Sequence, residues 1–134
     1  MVLFCPARTS RTWAVIEQQG RFCVNVLALE QEELCQRFGR SAPDKFSAVD
    51  WTDSTTGLPA LSGAAAWIDC EIAEIHEAGD HLIVTGRVLH LEPGADGPRP
   101  LLFHRGRYAA TEAPVVRRAV HPDLTSAPLA ESWF

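Results

Sequence analysis

The chain opens on a run of apolar residues, Val2, Leu3, Phe4 and Cys5, which reads as the end of a β-strand. Ser10, Arg11, Thr12 and Trp13 then open a helix, with Thr9 or Ser10 able to cap its first free N–H groups. That helix runs through Ala14, Val15, Ile16 and Glu17 and stops at Gly20. Residues 21–27 form a short β-rich run. A second helix fits residues 30–38: Glu30, Glu32 and Glu33 sit near its positive end, Arg37 and Arg40 near its negative end, and Gly39 closes it. Residues 41–61 read as a loop with a short helical turn around Asp44, Lys45 and Phe46.

The second half reads as β. Residues 64–76 and 81–91 flank Glu77, Ala78, Gly79 and Asp80, a four-residue hairpin connection. Ile68, Cys70 and Ile72 alternate with Asp69, Glu71 and Ala73, and the phase slips at Ile75, which predicts a bulge or bend. Residues 93–98 are an exposed loop. A last strand pair, residues 101–103 and 108–110, surrounds His104, Arg105, Gly106 and Arg107. From Glu112 onward the pattern is irregular and ends on Trp133 and Phe134. Four residues cannot join parallel strands, so the pattern predicts a small β-barrel carrying short helices and not a βαβ sheet.

Composition narrows the partners. With 134 residues there is room for one domain, and 12 Lys plus Arg against 17 Asp plus Glu leave a net charge of −5. A mildly acidic chain lacks the basic footprint of a nucleic-acid binder. No apolar run reaches membrane-spanning length, and residues 1–6 carry no secretory pattern, so the expectation is a cytoplasmic protein. Cys5, Cys23, Cys35 and Cys70 show no C-x-x-C spacing and read as reduced structural thiols.

Four places could carry chemistry. The loop from Arg8 through Ser10, Arg11 and Thr12 meets a helix N-terminus, where free amides, hydroxyls and guanidinium groups suit a phosphate. A capped helix flanked by two solvated arginines is the plainer reading of the same residues. His76, His81, His90, His104 and His121 have no metal-binding spacing. Asp44, Lys45 and Phe46 form a charged pair beside an aromatic. His104, Arg105, Gly106, Arg107 and Tyr108 make a turn suited to an anionic nucleotide, or equally a solvated hairpin tip.

Taken in order, several segments resemble the short-chain flavin reductase family, the reductase components of two-component flavin-dependent monooxygenases. They are Val2-Leu3-Phe4-Cys5-Pro6, Ser10-Arg11-Thr12-Trp13 and Gly20-Arg21-Phe22-Cys23-Val24-Asn25-Val26-Leu27. Arg37-Phe38-Gly39, Asp44-Lys45-Phe46, Gly79-Asp80-His81, Gly86-Arg87-Val88 and residues 100–108 follow. The resemblance covers nearly all of residues 2–111. The tail Glu131-Ser132-Trp133-Phe134 is similar to members serving seco-steroid hydroxylases of bacterial sterol catabolism.

This resemblance implies a mainly β, FMN-binding split β-barrel over residues 1–111, with residues 112–134 as a C-terminal tail. It implies a homodimer that uses NADH or NADPH to reduce FMN or FAD, by hydride transfer to flavin N5, for a partner oxygenase. Cys5, Pro6 and Ala7 would line the ribityl side of the flavin, and Ser10, Arg11 and Thr12 would hold its phosphate. Arg37, Phe38, Lys45 and Phe46 would close that side. His81 would orient the nicotinamide as a donor rather than act as a base, and Phe103, His104, Arg105, Gly106 and Tyr108 would face the same nucleotide.

Family members carry several dozen residues ahead of the first strand seen here, including a Ser/Thr-rich segment against the isoalloxazine. The barrel is therefore expected to be incomplete at its N-terminus, with weak FMN binding and self-association as consequences. Two alternatives are a non-catalytic split-barrel module for dimerisation or ligand binding, and a pyridoxamine-phosphate-oxidase-like flavoprotein.

Overall fold

The computed structural model describes residues 1–40, 44–95 and 97–111. Strand β1 (Val2–Phe4) leads through a loop into helix α1 (Arg11–Gln19). The helix begins where the sequence places a cap: the Ser10 hydroxyl accepts from the Trp13 N–H at 3.2 Å. It ends at Gly20, whose φ of +68° turns the chain directly into β2 (Arg21–Val26). The second helix starts later than expected. A 3-10 turn (Leu29–Gln31) precedes α2 (Glu32–Gly39), and the Gln31 side chain accepts from the Ala28 N–H and donates to the Ser62 carbonyl.

The loop expected over residues 41–61 needs correction. It contains a hairpin, β3 (Trp51–Asp53) paired antiparallel with β4 (Pro59–Leu61). No helical turn forms at Asp44, Lys45 and Phe46. Instead the Asp44 carboxylate accepts from the Ser47 N–H at 2.9 Å, and the chain reverses where the Val49 N–H meets the Phe46 carbonyl. Residues 41–43 of that loop, Asp96 in the loop at 93–98, and the tail with His121, Trp133 and Phe134 lie outside the described residues.

Strands β5 (Ala66–Ala78) and β6 (His81–Pro93) form a long hairpin at the centre of an antiparallel sheet of order β1-β6-β5-β2. The connection is two residues, Gly79 and Asp80, rather than four, because Ala78 pairs with His81 and Glu77 with Leu82. Gly79 takes φ +66° at the first central position, matching the twist of the flanking strands. The expected slip at Ile75 falls instead at Ala73, and a second falls at Leu89 on β6. Each inserts one unpaired residue and bends the ribbon. Among the described residues this sheet is open, with β1 and β2 as its two edges.

β7 (Leu102–His104) and β8 (Arg107–Ala109) form a separate hairpin whose turn, Arg105 and Gly106, has positive φ at both positions. Its root is pinned where the Leu101 N–H donates to the Leu27 carbonyl and the Leu29 N–H to the Arg99 carbonyl.

The core lies between α1 and one face of the sheet. Trp13, Leu82 and Val84 are buried, with Phe4, Ile16 and Ile72 packed against them. Trp13 and Ile16 are three apart on α1 and so share the face turned to the strands. Phe4 packs edge-on against both Trp13 and Phe22, at 5.9 and 5.0 Å between centroids.

Candidate functional site

The anion-suited loop and the β5–β6 hairpin tip form one unit. Two backbone hydrogen bonds join them, Leu82 N–H to the Pro6 carbonyl and Arg8 N–H to the Asp80 carbonyl, each at 3.0 Å, and together they make an antiparallel bridge between Ala7 and His81. The Arg8 guanidinium adds a side-chain link, donating to Glu77 at 3.1 Å. Cys5, Arg8, Arg11 and Thr12 are exposed, Pro6, Ala7 and Ser10 half-buried. The loop residues and His81 are thus brought together, as neighbouring parts of one surface.

The donor set there fits a phosphate. The Ser10 hydroxyl is occupied by the cap, and the Ser10 N–H by the Ala7 carbonyl. The N–H groups of Arg11 and Thr12, in the first turn of α1, have no helical acceptor. That turn holds no acidic residue, and the Arg11 guanidinium has no partner among the described residues. An anion would therefore meet two amides, a hydroxyl and an uncommitted cation at the positive end of a helix. An open cleft of about 450 Å³ adjoins the unit, with Arg8 and Glu77 at its rim and Trp13, Ile75 and Leu82 among its walls.

His81 makes one hydrogen bond, from Nδ1 to Asp80 Oδ1 at 2.9 Å. That bond and the imidazole's charge hold the Asp80 carboxyl below its usual range. Sequence reasoning placed Arg8 near an anion and missed its pairing with Glu77. No local signal could have found a partner 69 residues away.

The other expected residues gather elsewhere. Lys45 Nζ donates to the Phe38 carbonyl at 2.6 Å, capping the negative end of α2. Arg37 donates to the Ser47 carbonyl and to its hydroxyl at 3.1 Å. Phe38, Phe46 and Trp51 stack edge-on in series, at 5.2 and 5.8 Å. Phe103 and Tyr108 face each other across β7 and β8 at 5.2 Å, with Phe103 68% exposed, and His104, Arg105 and Gly106 form the exposed end of that hairpin. The neighbouring Cys35 thiol of α2 raises the Tyr108 phenol above its ordinary value.

Both α2 and the β7–β8 hairpin leave from the sheet end where Ala66 pairs with Pro93, the end opposite His81. Thirteen residues of β5 make a contour of about 40 Å between the two ends. No hydrogen bond or ion pair among the described residues joins these groups to the Ser10 loop.

One buried charge was missed altogether. Asp69 is 1% exposed, and its Oδ2 accepts from the Ser54 hydroxyl at 2.7 Å, the Thr56 hydroxyl at 2.9 Å and the Thr56 N–H. Burial alone would raise its pKa, but the hydrogen bonds from Ser54 and Thr56 outweigh burial and lower it. Burial, then Asp69 beside it, push the Cys23 thiol up to about 12. Among the described residues no three His, Cys, Asp or Glu side chains converge as a metal site, and no helix is long and apolar enough to cross a membrane.

Comparison with known proteins gives a consistent result. The flavin reductase like domain family matches residues 1–112. The reductase subunit HsaB of a flavin-dependent monooxygenase from Rhodococcus jostii is 53% identical over 112 residues, which is 84% of this chain and 57% of that protein. The chain thus spans somewhat over half the length of that curated relative. The crystal structure of nitrilotriacetate monooxygenase component B from Mycobacterium thermoresistibile superposes with TM-score 0.78 at 42% identity, covering 93% of this chain and 73% of that one. The NADH:FAD oxidoreductase SgcE6 of Streptomyces globisporus, in complex with NAD and FAD fragments, superposes with TM-score 0.76 at 30% identity, covering 85% and 68%.

Proposed function

The chain belongs to the flavin reductase like domain family, and from that premise we propose that it is the reductase component of a two-component flavin monooxygenase. In this reading it takes reducing equivalents from NADH or NADPH to FMN or FAD for an oxygenase partner. The observation that carries the proposal is the zipped unit of the Ser10 loop and the His81 hairpin tip. It sets a phosphate-type site beside a ring able to orient a second nucleotide.

The residues divide the work by position. Arg11 and Thr12 hold the flavin phosphate through their amides, the Thr12 hydroxyl and the Arg11 guanidinium, while Cys5, Pro6 and Ala7 form the adjacent wall. Once bound, the flavin supplies the hydride acceptor. His81 orients the nicotinamide. No protein acid or base is required, since positioning supplies most of the rate. The NAD and FAD fragments bound together by the Streptomyces globisporus relative support a site for two nucleotides, and the same pair is assigned to this chain by analogy.

The remaining assigned residues, Arg37, Phe38, Lys45 and Phe46 with the turn from Phe103 to Gly106 and Tyr108, lie too far along the ribbon to join the same chain's loop directly. We assign them to the pocket of a second copy in a homodimer, supported by the exposed apolar residues Leu3, Leu89, Leu91 and Phe103. A cytoplasmic location follows from the substrates this reading requires.

NADH oxidation followed at 340 nm, with and without added FMN or FAD, tests the proposal. Consumption that depends on flavin is the expected result. NADH left unconsumed at saturating flavin would overturn it in favour of a non-catalytic module.

A further inference from the structure

The hairpin tip carries a detail that bears on how His81 works, and the inference rests on the reading of His81 given above. We propose that Asp80 is the positioning residue for His81: it accepts the Nδ1 proton, fixes the ring, and leaves Nε2 to meet the nicotinamide nucleotide.

Three observations carry this. The first is which nitrogen is engaged. Three histidines on the β5–β6 hairpin have a carboxylate neighbour, and two meet it through Nε2: His76 with Glu74 at 3.0 Å and His90 with Glu92 at 3.9 Å. Only His81 is held through Nδ1, by Asp80 Oδ1 at 2.9 Å, and its Nε2 has no partner among the described residues. An ionised carboxylate can only accept, so the proton must sit on Nδ1.

The second is the backbone. The backbone of the tip is held on one side by the Arg8 N–H on the Asp80 carbonyl and the Leu82 N–H on the Pro6 carbonyl, the two bonds of the Ala7–His81 bridge, and on the other by the pairing of His81 with Ala78. What freedom remains is in the two side chains, which their mutual hydrogen bond restrains. The third is the lack of competition. The guanidinium of Arg8, the residue whose N–H meets the Asp80 carbonyl, is engaged by Glu77 and does not draw Asp80 away.

The chemistry suits a carboxamide. With the proton on Nδ1, the neutral ring orients the nicotinamide as an acceptor rather than as a donor, offering a lone pair at Nε2 to the amide's amino group, and only the doubly protonated ring donates an N–H there to its carbonyl oxygen. A free imidazole in water prefers the opposite tautomer, so Asp80 holds His81 in a form it would not otherwise favour.

Nitrogen-15 spectra of the histidine side chains of the full chain, recorded on the alkaline side of their titration, read the tautomer directly. The wild type is expected to carry the Nδ1–H form at His81, Asp80→Ala to revert to Nε2–H, and Asp80→Asn, whose amide oxygen still accepts, to keep Nδ1–H. In kinetics, Asp80→Ala is expected to raise KM for NADH about three- to tenfold, leaving flavin affinity unchanged. The double variant with His81→Ala should then be no worse than His81→Ala alone. An Nε2–H wild type, or penalties that add in the double variant, would overturn the role of Asp80. A His81→Ala variant with unaltered NADH kinetics, or a chain that consumes no NADH, would overturn the underlying reading of His81 and the present inference with it, whatever the tautomer.

Discussion

At Asp69, burial and hydrogen bonding act in opposite directions, and hydrogen bonding prevails. Its folded pKa lies below the unfolded value of 3.8, so its contribution to stability is complete above about pH 5 and falls away as the pH drops through the folded value. Urea midpoints measured from pH 6 down to pH 3 should fall more steeply for the wild type than for Asp69→Asn. At neutral pH, Asp69→Ala should lower stability by about 1.5–3 kcal/mol, the worth of hydrogen bonds to a charged group. The thiols separate as sharply. Cys5 is exposed, Cys70 buried, and Cys23 carries a pKa of about 12. Iodoacetamide at pH 8 should label Cys5 well before Cys23 or Cys70, by mass spectrometry of the peptides. At this scale the sequence made Ser10 legible as a cap because its partner, Trp13, lies three residues on. Asp69 was not legible, because its partners on the β3–β4 turn come from 13 to 15 residues earlier and its alternation with Ile68 and Cys70 read as an outward polar position.

Elements that organise themselves locally were read well, and those that depend on distant partners were not. α1 was recovered from its cap to its closing glycine, because each signal sits within a turn of the residues it serves. β3 and β4 went unseen, since three residues are too few to show alternation, and Pro59 at a strand start weakens a β reading. The β5–β6 connection was read as two residues too long because Glu77 and Ala78 are polar and small, although both are paired. Gly86 shows how tightly this ribbon packs: a Cβ there would lie 2.6 Å from Phe22 Cζ and 3.2 Å from Cys70 Cβ. Gly86→Ala must displace Phe22, which itself packs on Phe4, and should destabilise the chain by about 1–3 kcal/mol in chemical denaturation.

For the whole molecule, antiparallel strands were predictable and their order was not. The hairpin fixed β5 beside β6, but placing β1 against β6 and β2 against β5 needs contacts between remote segments. The same limit affected the site. Residues grouped by motif order as one pocket separate into two groups at opposite ends of the ribbon. If a second copy completes the pocket, light scattering after size exclusion should give twice the 14.7 kDa chain mass. A strictly monomeric chain that still consumes NADH with flavin would remove that assignment.

The pairing of Leu3 with Thr85 has a consequence during synthesis. At about 5–20 residues per second, a ribosome needs roughly 4–16 s to make the 82 residues that separate them. Through that interval β1 has no ladder partner among the described residues, and the Pro6, Ala7 and Arg8 stretch lacks the hairpin tip that later anchors it. Nascent chains should therefore engage a holding chaperone until β6 emerges, and slowing translation ahead of codon 81 should lengthen that engagement.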